Sequence, residues 1–263
     1  MPGVFKMKND FRKTAVEAAR ISGLFIRNSV GKVHKVSFKG RINIVTDVDR
    51  ASERMIIKKI RAAFPGHSIL SEESRPQERG STYRWVIDPI DGTTNFAHGF
   101  SFFAVSIALE YAGDVILGVV YDPMRDELFV AEKGKGAYLN GRKIRVSRTK
   151  ALSHSMLATG FTYHVKAARN RNIRNFSKFL VRAQAVRRAG SAALDLCYVA
   201  CGRFDGFWEM DLKPWDTAAA SLIVKEAKGK VTKFDGSGYS HYDKNILASN
   251  SLIHSQMLKF LSK

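Results

Sequence analysis

The chain has 263 residues, 45% of them hydrophobic, and its 43 Lys and Arg outnumber 24 Asp and Glu to give a net charge of +19. That length and apolar content allow a substantial buried core. The longest apolar stretches, such as Phe102 to Leu109, are too short to span a bilayer, and the N-terminus lacks a signal-peptide pattern. Cys197 and Cys201 are spaced to share one helical face, which favours core residues in a reducing compartment. These features predict a globular, cytoplasmic protein without membrane association.

The first half of the chain is predicted to place helices beside an antiparallel sheet. Apolar residues recur at helical spacing from Asp10 to Ile26, and a second helix is expected from Ser52 to Phe64, ended by Pro65-Gly66. Ala112-Gly113-Asp114 is typical of a hairpin turn. Strands are expected at residues 68–70, 84–87, 102–109, 115–121 and 127–131.

After about Lys150 the pattern changes to an alternation of helices and strands, which predicts an α/β second half. Helices are expected at residues 166–180, 191–201, 217–227 and 252–261, and strands at residues 156–159, 185–188 and 204–209 and near residues 231 and 246. No linker or internal repeat stands out. The predicted division into residues 1–150 and 151–263 therefore rests on this change of pattern.

The segment Asp88-Pro-Ile-Asp91-Gly-Thr-Thr94 carries the strongest chemical signal. An apolar strand from Trp85 ends in one carboxylate, a Pro-containing turn follows, and a second carboxylate precedes Gly92 and two threonines. A helix beginning there would offer free backbone N–H groups to a phosphate, and two close carboxylates would hold the cation that neutralises it. The alternative is a turn in which Asp91 only caps the next helix.

Three other segments place carboxylates at the ends of predicted elements. Asp47 and Asp49 follow an apolar stretch that ends at Val45, and Glu72 follows the strand at residues 68–70. Taken singly, these two segments favour solvated surface loops. Asp216 opens a helix of small residues, where it could be only the N-cap.

Together these segments resemble the inositol monophosphatase family in order and spacing. The chain contains Glu72-Glu-Ser74, Asp88-Pro-Ile-Asp-Gly-Thr-Thr-Asn95 and Trp215-Asp-x-Ala-x-Ala220. The resemblance covers nearly the whole chain and extends to Gly134-Lys-Gly-Ala137, Asn140-Gly141, Gly190-Ser-Ala-Ala193 and Gly206 to Glu209. It implies a five-layered αβαβα sandwich, with an α+β first half, an α/β second half and the site between them.

The resemblance implies an active site with two or three Mg²⁺ ions. Glu72, Asp88 and the backbone carbonyl of Ile90 would bind the first. Asp88, Asp91 and Asp216 would bind the second, and Glu72 with water would serve a third, weaker one. Hard oxygen ligands suit this ion.

The implied catalytic residues are Glu72, Thr93 and Asp49. A metal-activated water, oriented by Thr93 and Glu72, would attack the phosphate directly and in line, without a phosphoenzyme. Asp49 would hydrogen-bond the Thr93 hydroxyl, whereas Asp47 occupies a position that the family leaves variable. Lys39 lies on the segment where relatives carry a lysine near the metals.

The implied substrate is a phosphate monoester, with inositol 1-phosphate favoured. Backbone N–H groups of Gly92 and Thr93 would hold the phosphate, and Glu209 would contact the inositol ring. Fructose 1,6-bisphosphate, histidinol phosphate and a 3′-phosphoadenosine nucleotide are alternatives, because the metal motifs are shared. Family members are usually homodimers and are inhibited by lithium. The full set of implied substrate contacts is Asp91, Gly92, Thr93, Thr94, Gly190, Ser191, Ala192, Glu209 and Asp216.

Other phosphatase patterns fit less well. Asp47-Val-Asp49 resembles the start of haloacid-dehalogenase phosphatases, but Ala51 stands where that pattern has Thr or Val. Cys197 to Arg203 fits Cys-x5-Arg, yet Leu194 to Ala200 is predicted to be helical and lacks the glycines of a phosphate cradle. The seven histidines form no His-Glu-x-x-His motif, so zinc hydrolase chemistry has no support.

The positive charge is concentrated between Lys133 and Arg188, a segment with fifteen Lys or Arg and no Asp or Glu, which we call the basic segment. Such a surface attracts phosphate-bearing partners, so an additional function in binding RNA or an acidic protein is a second hypothesis. The simpler interpretation is a solvated face, because no aromatic interleaving or nucleic-acid motif accompanies the charges.

Overall fold

A computed structural model of the chain describes residues 3–32, 34–38, 44–161 and 171–261. Its helices are α1 (Gly3–Ser29), α2 (Asp47–Ala63), α3 (Thr93–Ala97), α4 (Arg171–Leu180), α5 (Ala192–Ala200), α6 (Pro214–Glu226) and α7 (His254–Leu258). Its strands in the first half are β1 (Val36–Phe38), β2 (Ile44–Thr46), β3 (Ser68–Ser71), β4 (Tyr83–Asp91), β5 (Ala104–Tyr111), β6 (Asp114–Asp122), β7 (Glu127–Glu132), β8 (Gly136–Leu139) and β9 (Arg142–Lys143). The remaining strands are β10 (Met156–Thr159), β11 (Ala185–Arg187), β12 (Gly206–Met210), β13 (Lys230–Thr232) and β14 (Asn245–Ser249).

Two sheets organise these elements. The larger has seven strands in the order β3-β4-β5-β6-β7-β8-β9, and only its β3–β4 pair is parallel. The smaller has five strands in the order β11-β10-β12-β14-β13, with β10 parallel to both neighbours and β14 antiparallel to both of its own. Strands β1 and β2 form a separate antiparallel pair.

The larger sheet is buried on both faces. In β4, Trp85 and Ile87 pack with α1 and α2, whereas Val86 between them packs on the opposite side with α5 and α6. This is the period of two that a strand imposes on successive side chains. Helices α1 and α2 therefore form one outer layer, and α5 and α6 lie between the two sheets.

The smaller sheet is covered in the same way. Phe207 of β12 faces α5 and α6, whereas its neighbour Trp208 packs against Phe179 of α4 and Met257 of α7. The result is the sequence of layers helix, sheet, helix, sheet, helix, so the predicted αβαβα sandwich is confirmed. The two sheets lie on either side of residue 150 in the chain, and the division into two domains there stays a prediction.

Most predicted elements are present, with corrected ends. The expected turn is a two-residue loop of Ala112 and Gly113, both in left-handed conformations (φ 50° and 86°), between the paired Tyr111 and Asp114. The expected helix at residues 252–261 is wrong in length, because α7 covers only His254–Leu258. Residues 166–170 of the predicted basic helix lie outside the described residues, as does Lys39.

The main correction concerns β4. We expected a strand that ends at Asp88 and a turn at Pro89, but β4 continues to Asp91. Its pairing with β5 shifts register between Asp88 and Asp91. Such an irregularity tolerates Pro89, which cannot donate to the ladder, and it re-aims the flanking side chains.

Within the described residues, no helix is both long and apolar enough to cross a bilayer. Cys197 is buried in α5 and Cys201, just after it, is half-buried; both are free thiols in contact with the layer between the sheets. Their interpretation as core residues is confirmed.

Candidate metal centre and active site

The site begins where β4 ends. Asp88 and Asp91 are both buried there, and Gly92 follows in a left-handed conformation, with φ of 101°. A Cβ atom at Gly92 would lie 3.0 Å from the backbone oxygen of Phe102 and 3.3 Å from that of Gly190. Glycine is therefore required here both by its backbone angle and by the space around it.

Helix α3 starts immediately after Gly92, and its first residue is tied to α2. The Thr93 hydroxyl lies 2.8 Å from Oδ1 of Asp49 and 3.1 Å from the carbonyl oxygen of Ile90. Oδ2 of Asp49 accepts hydrogen bonds from the backbone N–H and the hydroxyl of Thr46, the N-cap of α2. Burial raises the pKa of Asp49, and these hydrogen bonds oppose the rise.

Two more carboxylates reach the same place from other elements. Glu72 directly follows β3, and its backbone N–H donates to the carbonyl of Ile87 in β4 at 3.3 Å. Asp216 lies in the first turn of α6, where its Oδ2 accepts the backbone N–H of Lys213 at 2.7 Å. The expectation that Asp216 could be the N-cap itself is wrong: the N-cap of α6 is Lys213, because the helix begins two residues earlier than Asp216, and Asp216 stands at the third helical position. Its side chain also lines the cavity described below.

The carboxylates of Asp88, Asp91 and Asp216 converge, with one oxygen from each lying within 4.8 Å of the others. In each, one oxygen accepts a backbone N–H from the protein: that of Ile90, Ala193 or Lys213, respectively. No hydrogen bond from a described residue reaches the other oxygen of Asp88 or of Asp216. An all-oxygen donor set of this kind, oriented on one side and open on the other, fits Mg²⁺.

Electrostatics points the same way. Burial raises the pKa of Asp88, Asp91 and Asp216, that of Asp91 to about 6, and the neighbouring carboxylates, Glu72 among them, raise all three further. Buried like charges at such distances repel one another unless a cation lies between them. The cluster can therefore hold a divalent cation, whose presence would favour the ionised carboxylates.

Helix α5 supports the cluster from the second half of the chain. Its N-cap, Ser191, donates from its hydroxyl to Oδ2 of Asp91 at 2.5 Å, and Ala193 N–H donates to the same oxygen at 2.7 Å. These contacts join residues about a hundred positions apart. They fix the orientation of Asp91 and bring the N-terminus of α5 to the metal centre.

A cavity of about 490 Å³ opens over this centre, between β4 and the beginnings of α5 and α6. Glu209 lines it from β12, because it lies two positions from Phe207 and shares its side of the strand. Burial raises the pKa of Glu209 to about 8. The predicted site residues on this cavity are Glu72, Asp88, Ile90, Asp91, Gly92, Thr93, Gly190, Ser191, Ala192, Glu209 and Asp216.

A family model described as the inositol monophosphatase family matches residues 7–263. The chain belongs to this family. It is 46% identical to the Nus factor SuhB of Pseudomonas aeruginosa over 244 residues, 90% of each protein. Its structure superposes with a TM-score of 0.93 on the extragenic suppressor protein suhB from Bartonella henselae (40% identity, 97% and 99% of the chains). The inositol monophosphatase from Anabaena gives 0.87, at 42% identity over 96% and 95% of the chains.

Three predicted residues of this inositol monophosphatase family member lie off the cavity or outside the described residues. Asp49 lies behind Thr93 and is fully buried, and Thr94 is exposed on α3. Asp47, set aside in favour of Asp49, has a side chain 58% exposed and faces His34 on the surface. Lys39 lies outside the described residues, and its predicted role stays a prediction.

Sequence reasoning missed three other charged residues of the site. Asp195 and Arg188 line the cavity, and Glu53 of α2 binds the segment that carries Glu72. Asp195 could have been found, because it lies four residues after Ser191 and so shares its helical face. Glu53 gave no signal, because acidic residues are common on the polar faces of helices.

Proposed function

We propose that this protein is a Mg²⁺-dependent phosphomonoesterase that hydrolyses inositol 1-phosphate or a closely related polyol phosphate. The observation that carries the proposal is the triad of Asp88, Asp91 and Asp216, whose oxygens lie within 4.8 Å of one another. The cavity above it is large enough for a sugar-sized phosphate ester. The name of the Anabaena relative, inositol monophosphatase, agrees with this substrate class.

Bound Mg²⁺ would neutralise phosphate charge, lower the pKa of a coordinated water and stabilise the departing alcohol oxygen. The ligands would be Glu72, Asp88, the Ile90 carbonyl, Asp91 and Asp216. This set combines carboxylates from both halves of the chain, which explains why the site needs the complete sandwich.

The protein's own groups would orient the attacking water. The Thr93 hydroxyl donates a hydrogen bond to Asp49. The lone pairs of the Thr93 oxygen are then free to accept a hydrogen bond from a water. Glu72 would accept a second one, so that the water's lone pair points at phosphorus. Direct attack in line then needs no covalent intermediate on the protein.

Phosphate binding would use the turn between β4 and α3. The backbone N–H groups of Gly92 and Thr93 precede the first intrahelical hydrogen bond, and both residues line the cavity. A phosphate there would be held by neutral backbone donors. Gly190, Ser191 and Ala192 would contact the ring beyond it, and Thr94 would contribute through α3.

The metal and the triad are tested together by replacing Asp91 with Asn. Phosphate release should fall by at least about a thousandfold, because the variant loses the charge of a metal ligand and has a single acceptor oxygen to serve both the metal and the donors of Ser191 and Ala193. Asp114→Asn, an exposed surface change, is the matched control and should keep full activity. Activity in Asp91→Asn near the control's level, or full activity after removal of Mg²⁺ by a chelator, would refute the proposal.

The substrate is tested by a kinetic panel. We expect kcat/KM for inositol 1-phosphate to exceed that for fructose 1,6-bisphosphate, histidinol phosphate and 3′-phosphoadenosine nucleotides, because Glu209 suits ring hydroxyls. A higher kcat/KM for any of these would reassign the substrate and leave the metal chemistry intact. Inhibition by lithium and a homodimer in solution, both expected from the family, are measured on the same preparation.

A second candidate function is the binding of RNA through the basic segment, in addition to hydrolysis. Two observations favour it: the charge of that segment, and the name Nus factor carried by the Pseudomonas aeruginosa relative. A fluorescent single-stranded RNA of mixed sequence should bind with an affinity that falls steeply with salt. Replacing exposed Arg142, Lys143 and Arg148 by Gln should weaken binding, whereas Asp91→Asn should not. The absence of RNA binding at low salt would refute this candidate function. Binding of an acidic protein in place of RNA would assign the basic segment to that class of partner.

A further inference from the structure

One side chain on the cavity is buried without a hydrogen-bond partner. Asp195 of α5 is only 1% exposed, and its Oδ1 makes no hydrogen bond with any described residue. Leaving a buried carboxylate oxygen unpaired is costly, and native proteins rarely keep such a group without a reason. Because Asp195 lines the cavity, a ligand bound there can reach it.

The position of Asp195 follows from the geometry of α5. Ser191, which holds Asp91, lies one helical turn before Asp195, so both side chains are on the helical face turned towards the site. Asp195 is thus one turn deeper in the cavity than the residues that contact the metal ligands. With a phosphate bound at the turn between β4 and α3, as proposed above, Asp195 would face the part of the substrate beyond the phosphate.

Glu209 lines the same part of the cavity and is also without a hydrogen bond from a described residue. Gly160 makes room for it: a Cβ atom on Gly160 would lie 2.2 Å from Oε2 of Glu209, closer than any real contact. The part of the cavity lined by Asp195 and Glu209 therefore contains two buried carboxyl groups that lack hydrogen-bond donors from the described residues. Arg188, which is exposed, is a basic residue on the cavity wall and makes no ion pair with a described residue.

These two carboxyl groups favour some leaving groups over others. The oxygens of a carboxyl group accept hydrogen bonds, and in the ionised form they also repel anions, so a second phosphate at this end would be opposed whenever either residue is charged. A group with several hydroxyls would supply a donor to each of them. An aromatic leaving group offers no donor and would leave both carboxyl groups unpaired.

Burial raises the pKa of both carboxyl groups, that of Asp195 well above its usual range, and Arg188 opposes both shifts. A carboxyl group that is unstable in its charged form in the free protein gains most from a ligand donor.

We infer that Asp195 is a further specificity-determining residue, whose Oδ1 accepts a hydrogen bond from a hydroxyl of a polyhydroxylated leaving group. The inference rests on the proposed phosphatase function and extends it, because it adds a second carboxylate to Glu209 in the recognition of the polyol. It concerns the choice between substrates and leaves the attack on phosphorus unchanged.

The experiment compares Asp195→Asn and Asp195→Leu with the wild type on two esters, inositol 1-phosphate and phenyl phosphate. For inositol 1-phosphate, kcat/KM should fall by about 10- to 100-fold in Asp195→Leu and by less in Asp195→Asn, whose amide oxygen still accepts a hydrogen bond. For phenyl phosphate, it should stay within about twofold. Tyr198→Phe, on the same helix and off the cavity, is the matched control and should behave as the wild type on both esters.

Inositol 1-phosphate analogues that each lack one ring hydroxyl identify the partner of Oδ1. One analogue should be a poor substrate of the wild type and lose nothing further in Asp195→Leu, because the interaction is already absent. The melting temperatures of both variants should equal or exceed that of the wild type, since the substitution removes an unpaired buried carboxylate. A structural role predicts the opposite change.

Equal losses on both esters, or a lowered melting temperature with no change in the ratio of the two kcat/KM values, would overturn the inference and leave the proposed function standing. Failure of the wild type to hydrolyse either ester with Mg²⁺ would overturn the proposed function and, with it, the inference. Asp195→Asn is nearly the same shape as the native residue, so the comparison remains decisive even if Asp195→Leu does not fold.

Discussion

The hydroxyl of Thr93 lies 2.8 Å from Oδ1 of Asp49, a residue 44 positions earlier in the chain. The same hydroxyl is 3.1 Å from the carbonyl oxygen of Ile90, and it has one proton to share between the two acceptors. Asp49 accepts from three donor groups in all, so it holds the Thr93 oxygen in a fixed orientation. The lone pairs of that oxygen are then available on the side that lines the cavity.

The first prediction is that Thr93→Val, which keeps the shape and removes the hydroxyl, lowers kcat by about a hundredfold or more while KM changes little. The physical reason is that positioned proton acceptors contribute to the chemical step, at about 10²- to 10⁴-fold, more than to substrate affinity. Steady-state kinetics at saturating Mg²⁺ provide the measurement. Thr93→Ser, which retains the hydroxyl, should recover most of the rate.

Asp49 and Asp47 supply a second control for the hydrogen bond between Asp49 and Thr93. Asp49→Asn should lower kcat, because the neutral amide is a weaker acceptor and adds a donor next to Thr46. Asp47→Asn should stay within about twofold of the wild type, since that side chain is 58% exposed. Loss of activity in Asp47→Asn alone would contradict the direct attack of water and favour an aspartyl nucleophile at that position.

Much of the candidate site could be predicted because its carboxylates lie in short, ordered segments. Asp88 and Asp91 are three residues apart in the chain. Glu72 directly follows a predicted strand and Asp216 opens a predicted helix, so the local pattern places each at the end of an element. Ser191 could be assigned only through the family resemblance, and its hydrogen bond to Asp91, a hundred residues away, could not be predicted. Asp195 was missed although its spacing of four residues from Ser191 places both on one helical face, because a single acidic residue in an apolar helix does not stand out by itself.

The second prediction concerns Glu53, which connects α2 to the segment bearing Glu72. Its Oε2 accepts the Ser71 hydroxyl at 2.5 Å and the backbone N–H of Glu73 at 2.9 Å, so both neighbours of Glu72 are fixed to one carboxylate. Glu53→Ala should raise the Mg²⁺ concentration for half-maximal activity by about tenfold, the usual cost of losing support behind a metal ligand. The measurement is a Mg²⁺ titration of phosphate release.

A surface change on the same helix separates this effect from a general loss of stability. Arg54→Gln alters the adjacent, exposed residue and should leave the Mg²⁺ dependence unchanged. The Mg²⁺ concentration for half-maximal activity of Glu53→Gln should lie between those of Glu53→Ala and Arg54→Gln, because its neutral amide oxygen is a weaker hydrogen-bond acceptor than the carboxylate. An unaltered Mg²⁺ dependence in Glu53→Ala would show that Glu72 is held by other contacts.

The layers of the fold could be predicted better than the limits of its elements. The side chains of β5 point alternately to the two faces of the sheet, and both faces are buried. The strand therefore appears in the sequence as a nearly continuous apolar run. The pairs β1–β2 and β8–β9 were missed, because strands of two to four residues carry too few side chains for a period. The extension of β4 through Pro89 was also missed, since proline in a sequence favours a break unless the partner strand shifts register.

The third prediction uses a close approach between the larger sheet and α6 at Gly118. A Cβ atom on Gly118 of β6 would lie 2.4 Å from the backbone oxygen of Ala219, which cannot move without shifting the helix. Gly118→Ala should therefore lower the free energy of unfolding by about 1–3 kcal/mol, the usual cost of overpacking. Denaturant unfolding provides the measurement. Gly66→Ala, where nothing lies within 4 Å of the added atom, should change stability by less than about 0.5 kcal/mol.

The fourth prediction is a pH dependence of stability that originates at His254, the first residue of α7. Its ring is buried, with Nδ1 2.8 Å from the Ser249 hydroxyl and Nε2 2.9 Å from the Thr232 hydroxyl. A neutral imidazole satisfies this pair of contacts with one donor and one acceptor, whereas burial opposes the charged form and lowers the pKa of His254 to about 4.

The unfolded chain binds a proton at this histidine near pH 6.5, but the folded protein does so only near pH 4. Between these values the unfolded state holds more protons, so the contribution of His254 to stability is complete above pH 6.5 and declines as the pH falls towards 4. Asp91, whose pKa is raised to about 6, also titrates in this window, so the measured quantity is the difference in unfolding free energy between the wild type and His254→Gln. That difference should favour the wild type most at pH 7 and decrease steadily towards pH 4.5. The exposed His98→Gln should show no such trend, and a difference independent of pH for His254→Gln would mean that the buried ring does not resist protonation.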